Sequence, residues 1–206
     1  MLNMDTLKTS DPTAASQWMQ DGKLLAYPTE SVWGIGCDAF NQQAVKKILA
    51  IKNRPIDKGM IVVTDSIKRL TPLLDGLTQA QKQTLASSWE SVNNSTINQQ
   101  QATTWVLPLP KEVSIPNWIT GKHNSVAVRV IAHPLIKQVC TNMVSVDNPF
   151  GFIISTSCNP SDQQPAKNFV EANAYFGNNI GYLQGSTLGY TKPSQIKDIN
   201  NSKVLR

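Results

Sequence analysis

The chain has 206 residues, 40% of them apolar and 16% charged, with a formal net charge of +5. That length and composition allow one compact globular domain and exclude wholesale disorder. The positive balance favours phosphate-bearing partners, a nucleotide or RNA, although it also serves plain solubility. Cys37, Cys140 and Cys158 are odd in number and widely spaced, without a CxxC pair. They fit reduced cytoplasmic thiols better than disulfides or a zinc site. The first residues lack a charged and then apolar leader, and no apolar run reaches the roughly eighteen residues that span a bilayer. A cytoplasmic protein without membrane contact is expected.

In chain order, Asp11-Pro-Thr-Ala-Ala-Ser-Gln-Trp-Met-Gln predicts a first helix, with Asp11 as N-cap, Pro12 at its first position and Gly22 near its end. Lys23 to Tyr27 reads as a buried strand stopped by Pro28. Thr29-Glu-Ser-Val-Trp-Gly-Ile-Gly then predicts a loop passing close to something. Gly34 and Gly36 lack the third glycine and the following helix of a dinucleotide fingerprint. From Asn41 the spacing turns helical, with Ala44, Val45, Ile48, Leu49 and Ile51 on one face and Asn41 or Asp38 as cap. Gly59-Met-Ile-Val-Val is β-rich, so residues 23–63 predict a βαβ-like opening.

Residues 66–74 and 78–88 are further helical stretches, the second with Thr78 and Gln81 at capping-box spacing. Residues 90–102 are amide-rich and aperiodic, which predicts a mobile surface loop. Thr104 to Leu107, Ser125-Val-Ala-Val-Arg129-Val and Phe152-Ile-Ile-Ser-Thr-Ser are predicted strands, with a helix opened by Pro134 between the last two. Residues 168–176 form a last clear helix. A short strand at 181–184 and a glycine-bearing loop at 185–190 precede Pro193-Ser194-Gln-Ile.

Three cations fall within seven residues in Lys52-Asn-Arg54-Pro-Ile-Asp-Lys58-Gly59, on the predicted turn between a helix and a strand. Arginine offers a planar donor fork and lysine a mobile point charge, a mixture that suits a polyphosphate. The same cluster also fits a solvated helix end, where cations favour the dipole. In Ser155-Thr-Ser157-Cys-Asn159, strand alternation sends Ser155 and Ser157 to one side with Asn159 near them, giving neutral donors for a carboxylate, ribose or phosphate. Polar strand ends are also ordinary turn chemistry. His123 and His133 stand in no triad or metal spacing and read as structural or surface residues. Arg129, among apolar strand neighbours, needs an anionic partner, either an internal carboxylate or a ligand. The dispersed tryptophans read as core.

Taken together, Leu25-Ala-Tyr-Pro-Thr-Glu-Ser-Val-Trp-Gly-Ile-Gly-Cys-Asp, the Lys52-x-Arg54-Pro-x-x-Lys58-Gly59 cluster, Ser125-Val-Ala-Val-Arg129-Val with His133-Pro134, and Ser155-Thr-Ser157-x-Asn159 resemble, in order, the motifs of the YrdC/TsaC family. The resemblance implies an α/β fold, a twisted open mixed sheet with flanking helices and a large basic concave face. It implies one such domain over residues 1–206, with a motif-bearing core at about 12–198 and no additional C-terminal domain. The implied activity is L-threonylcarbamoyladenylate synthesis from L-threonine, bicarbonate and ATP, with release of pyrophosphate. The product passes to tRNA threonylcarbamoyl-transfer proteins that modify the adenosine beside the anticodon.

By the same resemblance, Lys52, Arg54, Ser157 and Asn159 form the catalytic set. Arg54, Lys58, Thr104, Ser157, Asn159 and Ser194 bind ATP, and Thr29, Ser125, Arg129 and Ser155 bind threonine or the adenylate. Mg²⁺ is implied by the triphosphate, without an evident carboxylate cage and with no metal ligand assigned. Two departures stand out. The amide-rich stretch after Trp89 replaces the family's Trp-Pro-Gly-Pro turn, and Tyr190 and Lys192 stand where relatives of this length often have arginine and asparagine. The alternative reading is a non-catalytic module that binds tRNA or other RNA through the same basic cleft.

Overall fold

The computed structural model describes residues 6–90 and 101–206, so the loop expected over 90–102 lies almost wholly outside the described residues. The apolar runs become strands β1 (Lys8–Thr9), β2 (Leu25–Pro28), β3 (Trp33–Asp38), β4 (Ile61–Thr64), β5 (Thr103–Pro108), β6 (Ser125–Val130), β7 (Ile153–Ser157), β8 (Gly181–Leu183) and β9 (Gln195–Asp198). All join one mixed sheet in the order β1-β8-β2-β3-β7-β4-β6-β5-β9. Helices α1 (Pro12–Gln20), α2 (Gln42–Ile51), α3 (Gln79–Glu90), α4 (Asn117–Thr120), α5 (Pro134–Asn142) and α6 (Phe169–Phe176) flank it.

Local signals place the helix starts. The Asp11 carboxylate accepts from the Thr13 and Ala14 N–H groups, and Asn41 Oδ1 caps α2 through Ala44 N–H. Thr78 and Gln81 form the reciprocal capping box before α3. Residues 66–74 depart from expectation. They form tight 3₁₀ turns over Ile67–Leu74, because Pro72 inside the run has no N–H for an α-helical bond.

The expected βαβ opening needs a correction at its first strand. Residues 33–36, the second half of the stretch read as loop, belong to the buried strand β3, which pairs antiparallel with β2 in a hairpin. The crossover through α2 therefore joins β3 to β4, which run parallel with β7 inserted between them and antiparallel to both. What Gly34 and Gly36 approach is internal. A Cβ on Gly36 would lie 2.7 Å from the Tyr27 hydroxyl oxygen and collide with the Ile154 carbonyl.

Strand alternation splits the core into two layers. One face carries Ala26, Ile35, Val62, Val128 and Ile154 against α2, α3 and the Ile67–Leu74 turns. The other carries Leu25, Tyr27, Val63 and Ile153 against α1 and α5. Those two helices cover only part of that second face. Farther along, the register brings Ile61 beside Ala127 and Ala127 beside Val106, and all three face an open cavity.

Candidate active site

The cationic turn is built by the way α2 ends. Lys52 is its C-cap, and Asn53 follows in the left-handed region at φ 44°. Asn53 N–H donates to the Ala50 carbonyl and Arg54 N–H to the Leu49 carbonyl, the paired bonds of a Schellman motif. Asparagine tolerates this conformation better than most residues, so it reverses the chain and separates Lys52 from Arg54. The turn is then locked against α4. Gly59 adopts φ 61°, and a Cβ there would lie 2.7 Å from the Thr120 carbonyl oxygen. Met60 N–H donates to the Ile119 carbonyl and Lys122 N–H to the Asp57 carbonyl, so the two segments interlock.

Within this frame the three cations have different duties. The Lys52 ammonium donates to the Ser157 carbonyl at 3.2 Å, the Asn159 carbonyl at 2.8 Å and Asn159 Oδ1 at 3.1 Å, with Ser157 Oγ at 3.5 Å. An ammonium has three N–H groups, so its donors are all taken up by the end of β7 and the turn after it. Burial pulls its pKa below the ordinary lysine value. Arg54 uses Nε on the Gly59 carbonyl at 2.9 Å and Nη2 on the Lys58 carbonyl at 3.2 Å, which leaves Nη1 without a partner among the described residues. Desolvation lowers its pKa as well. Lys58 is exposed, and its ammonium has no partner among the described residues.

The Asn159 side chain is likewise fully engaged within the fold. Its Nδ2 donates to the Pro160 and Gln163 carbonyls while Oδ1 accepts from Lys52. Lys52, Ser157 and Asn159 are therefore brought together, with the Ser157 hydroxyl only loosely held. Ser155, buried, lies on the same strand and lines the cavity with Ser125 of β6.

Other candidate residues stand apart from that wall. Thr29 is buried and donates to the Val32 carbonyl at 2.7 Å. Thr104 is fully buried, its hydroxyl without a partner among the described residues. Arg129 finds an internal carboxylate: its Nη2 lies 3.6 Å from Glu30 Oε2, and both side chains are buried. Glu30 Oε1 also accepts from Ala132 N–H, and Tyr190 N–H donates to the Glu30 carbonyl, so this ion pair ties three segments together. Tyr190 is buried and Lys192 exposed. Ser194 meets the site through Arg206, whose Nη2 lies 3.4 Å from its Oγ.

The cavity encloses about 640 Å³ and is lined by Lys52, Arg54, Lys58, Ser125 and Ser155 together with residues that carried no motif signal. His123, read from sequence as structural or surface, is on its wall, as are Thr120, Ser161 and Arg206. His123 and Thr120 arrive there with α4, a four-residue helix too short to show periodicity. Among the described residues no aspartate or glutamate lines the cavity, and no group of three or more His, Cys, Asp or Glu side chains could hold a metal ion. No helix among them is long and apolar enough to cross a membrane.

The Sua5/YciO/YrdC family model, described as telomere recombination, matches residues 17–206. A threonylcarbamoyl-AMP synthase of Psychrobacter cryohalolentis is 56% identical over 97% of this chain and 97% of its own length. One of Moraxella catarrhalis is 42% identical over 93% and 92%. The structure of P. abyssi Sua5 complexed with L-threonine is similar at TM-score 0.74 and 25% identity, covering 95% of this chain but 53% of that one. E. coli YciO shares the fold at TM-score 0.70 and 17% identity, over 98% of this chain and 93% of its own.

Proposed function

Because the chain belongs to the Sua5/YciO/YrdC family, we propose that it is an L-threonylcarbamoyladenylate synthase, an ATP-dependent nucleotidyltransferase. The observation that carries this reading is a 640 Å³ cavity into which cations and hydroxyls converge without an aspartate or glutamate among its described lining residues. That volume suits a nucleotide and a small amino acid. Relatives named for the enzyme across nearly their full length weigh against the non-catalytic RNA-binding alternative.

The threonine amine adds to carbon dioxide with release of a proton, or to bicarbonate with loss of water, giving a carbamate. A carbamate oxygen then attacks the α-phosphorus of ATP, and the bond to the departing pyrophosphate breaks. Negative charge accumulates on phosphoryl oxygens, so catalysis needs preorganised donors rather than a covalent nucleophile. Arg54 Nη1 and the Lys58 ammonium are the donors with capacity to spare. Lys52 acts from behind, holding the Ser157 and Asn159 carbonyls and Asn159 Oδ1 in place while adding its charge to the wall. Ser125 and Ser155 take the threonine carboxylate and hydroxyl. Thr29, Thr104 and the Glu30–Arg129 pair shape the floor and its edges.

A Mg²⁺ ion carried by the triphosphate would supply charge screening for the phosphoryl oxygens, and among the described residues of the cavity wall no aspartate or glutamate would hold it. The product is consumed in the cytoplasm by proteins that transfer the threonylcarbamoyl group to tRNA. The test is to incubate the protein with ATP, bicarbonate and each amino acid in turn, following pyrophosphate release. Release that requires both threonine and bicarbonate is expected. A folded preparation without turnover refutes the assignment.

A further inference from the structure

The segment 203–206 runs antiparallel to β9. Lys197 pairs with Val204, Leu205 N–H donates to the Ile196 carbonyl at 2.8 Å, and Ile196 N–H donates to the Arg206 carbonyl at 3.0 Å. These backbone bonds carry Arg206 to the wall of the cavity that also holds Arg54 and Lys58. Its guanidinium is little used there. Among the described residues it makes one long bond, to Ser194 Oγ at 3.4 Å, and no carboxylate pairs with it.

Arg206 also feels its neighbours. Desolvation, then the positive charges of Arg129 and Arg54, pull its pKa below the ordinary arginine value. Arg129 pairs with Glu30, whereas no aspartate or glutamate pairs with Arg54 or Arg206 among the described residues. Two guanidinium groups beside one cavity repel each other until an anion sits between them, and a phosphate accepts from two such forks at once. Ser194, which accepts from Arg206, keeps the fork directed along the wall.

We propose that Arg206 is a phosphate-binding residue of the synthase, forming with Arg54 a two-guanidinium clamp on the pyrophosphate that leaves the nucleotide. The proposal rests on the nucleotidyl-transfer reading given above, and it adds an arm to the site from outside every recognised motif. It assigns Ser194 a positioning role rather than direct contact with phosphate.

Isothermal titration with pyrophosphate, ATP, AMP and threonine separates the possibilities, using the full chain and its Arg206→Ala and Arg206→Lys variants. Arg206→Ala is expected to weaken pyrophosphate and ATP binding about tenfold or more while AMP and threonine stay within about twofold, and Arg206→Lys is expected to recover part of the loss. An equal loss for AMP and pyrophosphate without rescue by lysine would mean that the residue only holds the tail in place, and overturns the proposal. Pyrophosphate affinity within about twofold of the unsubstituted protein overturns it too, as does failure of the unsubstituted protein to bind pyrophosphate. Arg206-dependent pyrophosphate binding in a protein that makes no threonylcarbamoyl-AMP leaves the clamp standing and removes only the enzymatic reading.

Discussion

Replacing Lys52 by methionine isolates its ammonium, because methionine keeps most of the length of the stem and removes the charge. The substitution deletes three donated bonds, at 2.8, 3.1 and 3.2 Å, between the end of α2 and the end of β7. Hydrogen bonds from a charged donor contribute roughly 1.5–3 kcal/mol each, but relief of the ammonium's desolvation offsets much of the sum. A net loss of about 2 kcal/mol is expected, lowering Tm by roughly 4–8 °C in a protein of this size. The effect on chemistry is larger, since Ser157 and the Asn159 peptide lose their tether and the wall loses a charge. Turnover at saturating ATP, threonine and bicarbonate should fall about a hundredfold, equivalent to roughly 2.7 kcal/mol of transition-state stabilisation. ATP affinity by isothermal titration should change less than about threefold, because Lys52 has no donor left for the nucleotide. Pyrophosphate-release kinetics, calorimetry and thermal unfolding read the three quantities separately. Loss of ATP affinity with kcat retained would show that Lys52 is a direct phosphate ligand and refute the tether.

The contrasting variant is Arg54→Ala, which should lower kcat/KM for ATP at least tenfold and weaken ATP binding, while losing only about 1 kcal/mol of stability with the Gly59 bond; unchanged ATP affinity would count against it. Gly59→Ala places a side chain at φ 61° and drives it toward the Thr120 carbonyl, so a loss of about 2 kcal/mol and weaker ATP binding are expected in denaturant unfolding and titration. Glu30→Gln leaves Arg129 buried without its counter-charge; a loss near 3 kcal/mol, seen as a Tm lower by roughly 6–12 °C, should be partly recovered by adding Arg129→Met, and a shift under about 2 °C would show the pair to be dispensable. Lys52 has a pKa depressed by burial from 10.5, so activity that needs its charge declines at lower pH than for a solvated lysine. The stability sign is opposite: between the depressed folded pKa and the unfolded value the unfolded chain holds more protons, and stability rises with pH. A pH–rate profile whose alkaline limb is identical in Lys52→Arg would dissociate that limb from Lys52.

The parts of this structure legible in sequence are those settled within one turn or one strand. Asp11, Asn41 and Thr78 act on N–H groups two or three residues away, so helix starts can be read directly. β3 escapes such a reading because its two glycines look like loop residues until Tyr27 and Ile154 are seen to occupy the space their side chains would need. β9 has four half-buried residues and no alternation, because it is an edge paired only with β5 and the segment after it. Without β9 in place, nothing in the sequence could bring Arg206 to the cavity. The anion that Arg129 requires is Glu30, ninety-nine positions earlier in the chain, a pairing that only tertiary structure supplies.

The same distinction governs how the site discriminates. Sequence displays every polar residue, whereas a bound ligand meets only those with donors or acceptors left over. Asn159 and Lys52 have spent theirs on the fold, and the Thr29 hydroxyl has given its proton to the Val32 carbonyl. What remains facing the cavity among the described residues is Arg54 Nη1, the Lys58 ammonium, Arg206 and the Ser125 hydroxyl, beside Ser155, whose hydroxyl bonds Tyr27, a set rich in donors and without an aspartate or glutamate. Such a wall favours an anion with several oxygens over a cation, since no aspartate or glutamate among its described residues offsets the positive charge. The rigid elements hold this residual set in place: the Schellman turn fixes Arg54, the Gly59–Thr120 contact fixes the turn, and β9 fixes the tail. On the proposed reading, specificity for a polyphosphate arises from which groups the fold leaves unsatisfied, and a substitution at a fully bonded residue such as Asn159 is expected to act on the ligand by releasing or misplacing one of those few free donors.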